Sequence, residues 1–214
     1  MTDYIQQFFE RVGTGEIEIY NEFSLQHELG IFLRSRIADA KIRFERHVTS
    51  FSFVRSQFVK AEIDISVISS AGRPRAAIEL KFPRAGQFPE QMFKACQDIV
   101  FLEQLVLAGF ERGYFIMAAD DHLFHRGSRL DGIYRFFRGE TPISGQIFGP
   151  TGDTTREITM RGHYHVQWRD AARSLRYFVI SVDTQTMPKG AFDFYTVPQK
   201  MVDASRLCRF HHVL

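Results

Sequence analysis

Cysteine, lysine and long apolar runs are what this chain has least of. Only Cys96 and Cys208 occur among 214 residues. Two distant cysteines make neither a disulfide framework nor a Cys-x-x-Cys metal site, so two reduced thiols are expected. No apolar stretch approaches the roughly 18 residues that a membrane-spanning helix needs. The opening MTDYIQQFFERVG lacks the charged-then-apolar pattern of a secretory signal. A soluble cytoplasmic protein with no membrane partner is therefore expected. There is no Walker A loop, no Gly-x-Ser-x-Gly elbow and no Rossmann glycine pattern, so neither a nucleotide cofactor nor a serine nucleophile is expected. The formal net charge is only +2, less basic than a strong nonspecific nucleic-acid binder usually is.

What is present is phenylalanine, with 22 copies, and arginine, with 21 copies against 6 lysines. Arginine suits bidentate contacts to phosphates and bases, and it is equally a common surface residue. The length suits one domain with an elaboration, long enough to bury a sizeable core.

Hydrophobic periodicity divides the first 120 residues clearly. Ile5, Phe8, Phe9 and Val12 predict a helix over residues 1–12. Leu25, Leu29, Phe32, Leu33 and Ile37 predict another over about 22–39, with Asn21 or Ser24 as its cap. Residues 41–48 alternate like a half-buried strand. So do residues 59–68, with Ile63, Ile65 and Val67 on one face and Glu62, Asp64 and Ser66 on the other. A Ser-Ser-Ala-Gly-Arg-Pro turn leads into a strand over 76–82, where Glu79 and Lys81 share a face opposite Ile78, Leu80 and Phe82. A long helix follows from Pro89 to Ala108, with Met92, Cys96, Ile99, Leu102 and Val106 on its apolar side and Gly109 as its stop. Residues 113–119 form an apolar run typical of a strand buried on both faces. Beyond residue 120 the pattern is less regular, with candidate strands at 163–168 and 175–182.

Asp64, Glu79 and Lys81 stand out as polar residues at strand positions beside the core. If their strands are neighbours, two carboxylates converge beside an ammonium group. Two carboxylates hold a hard cation such as Mg²⁺ through oxygen ligands. The cation acidifies a bound water and stabilises charge on a phosphate, while a lysine orients the attacking water and adds positive charge at the transition state. A surface salt bridge is the simpler alternative for such a trio. With 13 Glu and 6 Lys in the chain, a Glu-x-Lys triplet arises by chance about 0.4 times, so the triplet alone is weak. Asp39-Ala40-Lys41 fits the looser (Asp/Glu)-x-Lys form but sits at a predicted helix end with no acidic strand before it. Glu79-Leu80-Lys81 lies within an apolar strand, follows an Asp-bearing strand through one turn, and precedes a long helix.

This arrangement resembles the PD-(D/E)xK superfamily of restriction endonucleases, Holliday-junction resolvases and repair nucleases. The resemblance covers about residues 20–120. The motif's Asp falls on Asp64 and its (D/E)xK on Glu79-Leu80-Lys81, while Ile63 stands where the motif name has Pro. The resemblance implies an α/β fold with a restriction-endonuclease-like core ordered α-β-β-β-α-β, a central mixed sheet flanked by helices, and a C-terminal elaboration over 121–214, all within a single domain. It implies a nuclease using Mg²⁺ or Mn²⁺, acting on nucleic acid and expected to act on DNA, with Asp64, Glu79 and Lys81 catalytic and Asp64 and Glu79 binding metal. It also implies an acidic assistant from the first core helix, for which Glu22 and Glu28 are both candidates. Polar residues opening the second core helix, Gln87, Gln91 and Lys94, are the implied substrate contacts. Cutting both strands of a duplex would favour a homodimer. The alternative is a catalytically inactive module of the same fold that binds nucleic acid or a protein partner.

Two further groupings are weaker. Asp120, Asp121, His122 and His125 have metal-binding residue types but no convincing ligand set, and His163, His165 and the His211-His212 pair are ordinary for a chain with eight histidines. Arg126, Arg129, Arg135 and Arg138, interleaved with Tyr134, Phe136 and Phe137, are either phosphate- and base-contacting residues or a solvated helix and loop.

Overall fold

The computed structural model describes residues 1–84, 86–150 and 156–187. Cys208 and the His211-His212 pair lie outside the described residues. Two helices come first, α1 (Thr2–Gly13) and α2 (Glu22–Arg36). Asn21 caps α2 by accepting from the Ser24 N–H at 2.7 Å, and Ser24 reciprocates by accepting from the Asn21 N–H at 3.0 Å. Both candidate capping residues thus act together as a capping box. The helix ends at Arg36, three residues short of the expected 39, because Asp39 and Ala40 are already entering the first strand.

The strands are β1 (Ala40–His47), β2 (Glu62–Ser69), β3 (Pro74–Lys81), β4 (Arg112–Ala119), β5 (Ile143–Phe148), β6 (Glu157–Tyr164), β7 (Arg169–Ala172) and β8 (Leu175–Val182). The 21-residue α3 (Phe88–Ala108) joins β3 to β4, and the short α4 spans Tyr134–Arg138. The fold is α/β with a central mixed sheet of six strands, ordered β1-β2-β3-β4-β8-β7, flanked by helices. Among the described residues only β3 and β4 pair in parallel, as the long crossover through α3 requires. Among the described residues no helix is long and apolar enough to cross a membrane.

The core has two halves, one on each face of the sheet. On one face Phe8, Phe9, Leu25 and Leu29 of α1 and α2 cover Ile65, Val67, Ile78, Leu80 and Ile116. Gly30 brings α2 down onto β1, since a Cβ there would lie 2.1 Å from the Phe44 ring. On the other face α3 covers Ala77, Phe115, Met117 and Phe178. Ile63 belongs to this second half, so its expected place beside Ile65 and Val67 is corrected. The β2–β3 pairing stops at Ile65–Ile78, and the strand leaves the flat alternation beyond it.

The C-terminal half differs most from expectation. The anticipated strand at 163–168 ends at Tyr164, and residues 165–168 are irregular. Trp168 is drawn out of a ladder by its indole N–H, which donates to the Phe137 carbonyl at 2.9 Å, and by its edge contact with Phe178. The less regular stretch from residue 126 onward supplies α4 and the β5–β6 hairpin. These pack on the outer side of α3, which is why that helix is buried nearly all round rather than on one stripe. Glu103 ties the two layers together. Its buried carboxylate accepts from the backbone N–H groups of Arg161 (3.0 Å) and Gly162 (2.7 Å) and from the Tyr164 hydroxyl (3.0 Å).

Candidate active site

Strands β2 and β3 are paired from Ile68–Pro74 only as far as Ile65–Ile78, after which they part. Beyond that point β3 continues its parallel ladder with β4 through Lys81–Met117. Two backbone N–H groups at the fork therefore lack the ladder partners that an unbroken pair would supply. Side-chain carboxylates take them instead. Asp64 Oδ2 accepts from the Leu80 N–H at 2.7 Å, and Glu79 Oε1 accepts from the Asp64 N–H at 3.3 Å. This pair of hydrogen bonds draws both carboxylates into the fork, as the sequence expected if β2 and β3 are neighbours.

Lys81 lies on the same face of β3 as Glu79. Its ammonium is 3.1 Å from Asp98 Oδ2 on α3 and 3.8 Å from Glu22 Oε1 at the start of α2. Glu22 also accepts from the Phe82 N–H at 3.0 Å. The structure thus separates the two helix candidates: Glu22 joins the cluster, while Glu28 lines a different depression with Glu18, Tyr20 and His27. Gln26 braces the site from α2 by donating to the Asp64 carbonyl at 2.9 Å.

Two members of the cluster escaped sequence reading. Lys60 hydrogen-bonds Glu79 Oε2, lies 2.9 Å from Asp98 Oδ1, and is 3.9 Å from Asp64 Oδ1. It was expected inside a strand, but β2 starts only at Glu62, and Lys60 occupies the irregular segment before it. Asp98 is buried amid the apolar residues of α3 and bridges both lysines. A signal for Asp98 was available, since Gln87, Gln91 and Lys94 mark one side of the helix and four more residues along that stripe reach it. Lys60 had no comparable signal.

The electrostatics follow from burial. The cluster holds four carboxylates and two ammonium groups, two formal negative charges in excess. Burial pushes the fully buried Glu79 carboxyl well up, with Asp64 and Asp98 adding to the push and Lys60 opposing it. Burial likewise pushes Asp64 up to about 6, against the pull of Lys60 and the Leu80 N–H. For Lys81 burial acts downward, but Asp98 and Glu22 outweigh it and hold the ammonium above its ordinary value. Lys81 is therefore a fixed cation at neutral pH.

The Asp64 shift carries a stability consequence. A carboxyl whose folded value lies above its unfolded value stabilises the fold at low pH, and that contribution is lost as pH rises through the folded value. In metal-free buffer the group should remove about 2–3 kcal/mol between about pH 4 and pH 7. Asp64→Asn keeps an acceptor for the Leu80 N–H and should flatten this fall in urea melts across that range. Parallel profiles for the two proteins would place the titration elsewhere.

The donor set is all carboxylate oxygen with excess negative charge, which is the chemistry of a hard divalent cation site. As arranged, the Lys60 ammonium stands among these oxygens, and among the described residues no three Asp, Glu, His or Cys side chains are positioned to hold a metal ion. The Asp121–His122 region offers no such set either; His122 lies 3.7 Å from Asp121, and His125 packs against Trp168.

Beside the cluster is an open cleft of about 610 Å³ lined by Asn21, Glu22, Phe23, Lys81, Arg84, Gln87, Gln91 and Lys94. The three residues expected to contact substrate, Gln87, Gln91 and Lys94, thus share one cleft with Lys81. Phe23 is 78 % exposed at its edge. The arginine-rich stretch is used differently. Tyr134, Phe136 and Phe137 are buried, and Arg138 donates to the Leu123 and Arg129 carbonyls while lying over the Tyr134 ring. Those aromatics are unavailable for base stacking. No family model, curated protein or solved structure matches this chain.

Proposed function

We propose that this protein is a metal-dependent nuclease of the PD-(D/E)xK, restriction-endonuclease-like type, hydrolysing phosphodiester bonds of nucleic acid, with DNA the expected substrate. One observation carries the reading: at the β2–β3 fork the Asp64 carboxylate accepts from the Leu80 N–H and the Glu79 carboxylate from the Asp64 N–H, with Lys81 next along the same face. The order α2-β1-β2-β3-α3-β4 supports it, being the core order that the resemblance implies.

Asp64 and Glu79 would hold Mg²⁺ or Mn²⁺, with Glu22 assisting from α2. When bound, such an ion supplies an acidified water and charge neutralisation at the phosphate. Lys81, held protonated by Asp98 and Glu22, is unsuited to accept a proton. It donates hydrogen bonds, orienting the attacking water and balancing charge on a non-bridging phosphoryl oxygen. Asp98 acts through Lys81 as a positioning residue. Phosphates of the bound strand lie along Arg84 and Lys94 in the cleft, and exposed Phe23 offers a face on which an unpaired base can stack. Cutting both strands of a duplex would call for two such sites related by a twofold axis.

A second reading, a catalytically inactive module binding nucleic acid or a protein partner, draws on the position of the Lys60 ammonium among the carboxylates. One assay separates the two. Wild type and Asp64→Ala are incubated with plasmid, linear and single-stranded DNA and with RNA, in Mg²⁺, Mn²⁺ or EDTA. The nuclease reading expects metal-dependent cleavage that Asp64→Ala loses. No cleavage of any substrate, together with no metal binding by calorimetry, would leave the inactive module as the reading.

A further inference from the structure

We infer that Lys60 and the divalent metal are alternative occupants of one position, so that the metal enters the site by displacing the Lys60 ammonium. The inference rests on the metal-dependent reading above and concerns what the metal-free site holds in its place.

Lys60 is placed for this role by both its partners and its backbone. Its ammonium meets oxygens of Glu79, Asp98 and Asp64, three carboxylates on one side of the fork. Two of these, Asp64 and Glu79, are the proposed metal holders. A divalent cation and an ammonium sharing the same oxygens would repel strongly at such short range in a buried setting. One of them must leave, and Lys60 is the cation free to do so. It sits in the irregular segment between a 3-10 turn (Arg55–Gln57) and β2, outside the sheet ladders, and its side chain is 30 % exposed with a route to solvent. Lys81 differs in backbone and exposure. It lies in the β3–β4 ladder, and its side chain is 14 % exposed.

Exchange also improves the charge balance. With Lys60 in place the formal charges of the cluster sum to two negative in excess. Replacing one ammonium charge by a divalent ion reduces that excess by one. The metal-free protein thus keeps Glu79 and Asp98 partnered, which a buried carboxylate requires, at the cost of weaker metal binding. Metal affinity is consequently set in part by Lys60.

The test is calorimetric titration of Mg²⁺ and Mn²⁺ into wild type and Lys60→Met, without nucleic acid. Lys60→Met removes the competing cation while keeping a similar chain length, and is expected to bind metal at least 10-fold more tightly. Binding by Lys60→Met alone would equally support displacement. Equal or weaker binding in Lys60→Met, with wild type binding metal, overturns the displacement and leaves the metal site standing. No binding by either protein overturns both. Because Lys60→Met leaves carboxylates unpartnered and can fail to fold, a second measurement uses wild type alone. Acetic anhydride labelling of Lys60, read by mass spectrometry against Lys94 as the internal standard, is expected to rise several-fold when Mg²⁺ saturates the calorimetric signal. Unchanged Lys60 labelling at saturating Mg²⁺ overturns displacement.

Discussion

Replacing Lys81 by Met is expected to lower metal-dependent phosphodiester cleavage by about 10³-fold or more, while nucleic-acid binding without metal changes only a few-fold. The asymmetry follows from where the ammonium sits. Lys81 is buried beside the carboxylates and held by Asp98 at 3.1 Å and Glu22 at 3.8 Å, so its charge is pre-positioned before substrate arrives. Such a group acts most strongly on the transition state, where charge at the phosphate is redistributed, and contributes less to ground-state binding. Arg84 and Lys94 line the same cleft, and under the proposed reading they would supply the sequence-independent attraction to phosphate. Met has a similar apolar stem, and Asp98 retains its 2.9 Å contact with Lys60, so the fold should survive. The comparison is kcat against the dissociation constant for the same oligonucleotide, with far-ultraviolet circular dichroism as the folding control. Full activity in Lys81→Met would remove Lys81 from the mechanism. A parallel loss of binding and cleavage would make it a phosphate contact instead.

The largest stability effect is expected at Glu103, on α3 beyond Asp98. Glu103→Ala should destabilise the protein by about 3–5 kcal/mol in urea unfolding. Three donors converge on this one carboxylate: the N–H groups of Arg161 and Gly162 and the hydroxyl of Tyr164. Truncation strands them at a buried interface, and each unsatisfied group costs about 1–3 kcal/mol. Relaxation is limited, since the carboxylate is the join between α3 and β6, with apolar packing around it. Glu103→Gln keeps one acceptor oxygen and the side-chain volume, and should recover roughly half of the loss. A change below about 1 kcal/mol for Glu103→Ala would mean that packing alone holds the hairpin on α3.

How much of this was legible in the chain depends on whether the signal was local. Alternating and helical hydrophobicity located α1, α2, α3, β3, β4 and β8 within a few residues, because each buries a periodic face and the period is written in consecutive positions. The run at 113–119 was read as a doubly buried strand, and Gly113 to Ala119 of β4 are all buried. The hairpin β5–β6 was not located. β6 does alternate, with Ile158, Met160 and Tyr164 buried, but Gly162 falls at an inward position and weakens the apolar period, and the β5 pairing is broken by a register shift between Ile143 and Gly145. The 163–168 strand failed because Trp168 answers to Phe137 and Phe178, partners far away in sequence.

The same division runs through the candidate site. The sequence by itself determined that Asp64 precedes a turn and that Glu79 and Lys81 share a face of the next strand, since a strand's period of two leaves no other arrangement. Tertiary structure alone decided that β2 and β3 part after Ile65–Ile78, turning a carboxylate on each strand into an acceptor for a backbone N–H of the other strand. It also brought Glu22 and not Glu28 to the cluster, drew Asp98 from α3, and brought Lys60 in from an irregular segment with no period of its own. The physical reason is that a buried charge must find a partner wherever the chain can supply one. Local pattern records which residues are buried along one element, while the identity of the compensating charge depends on which elements meet.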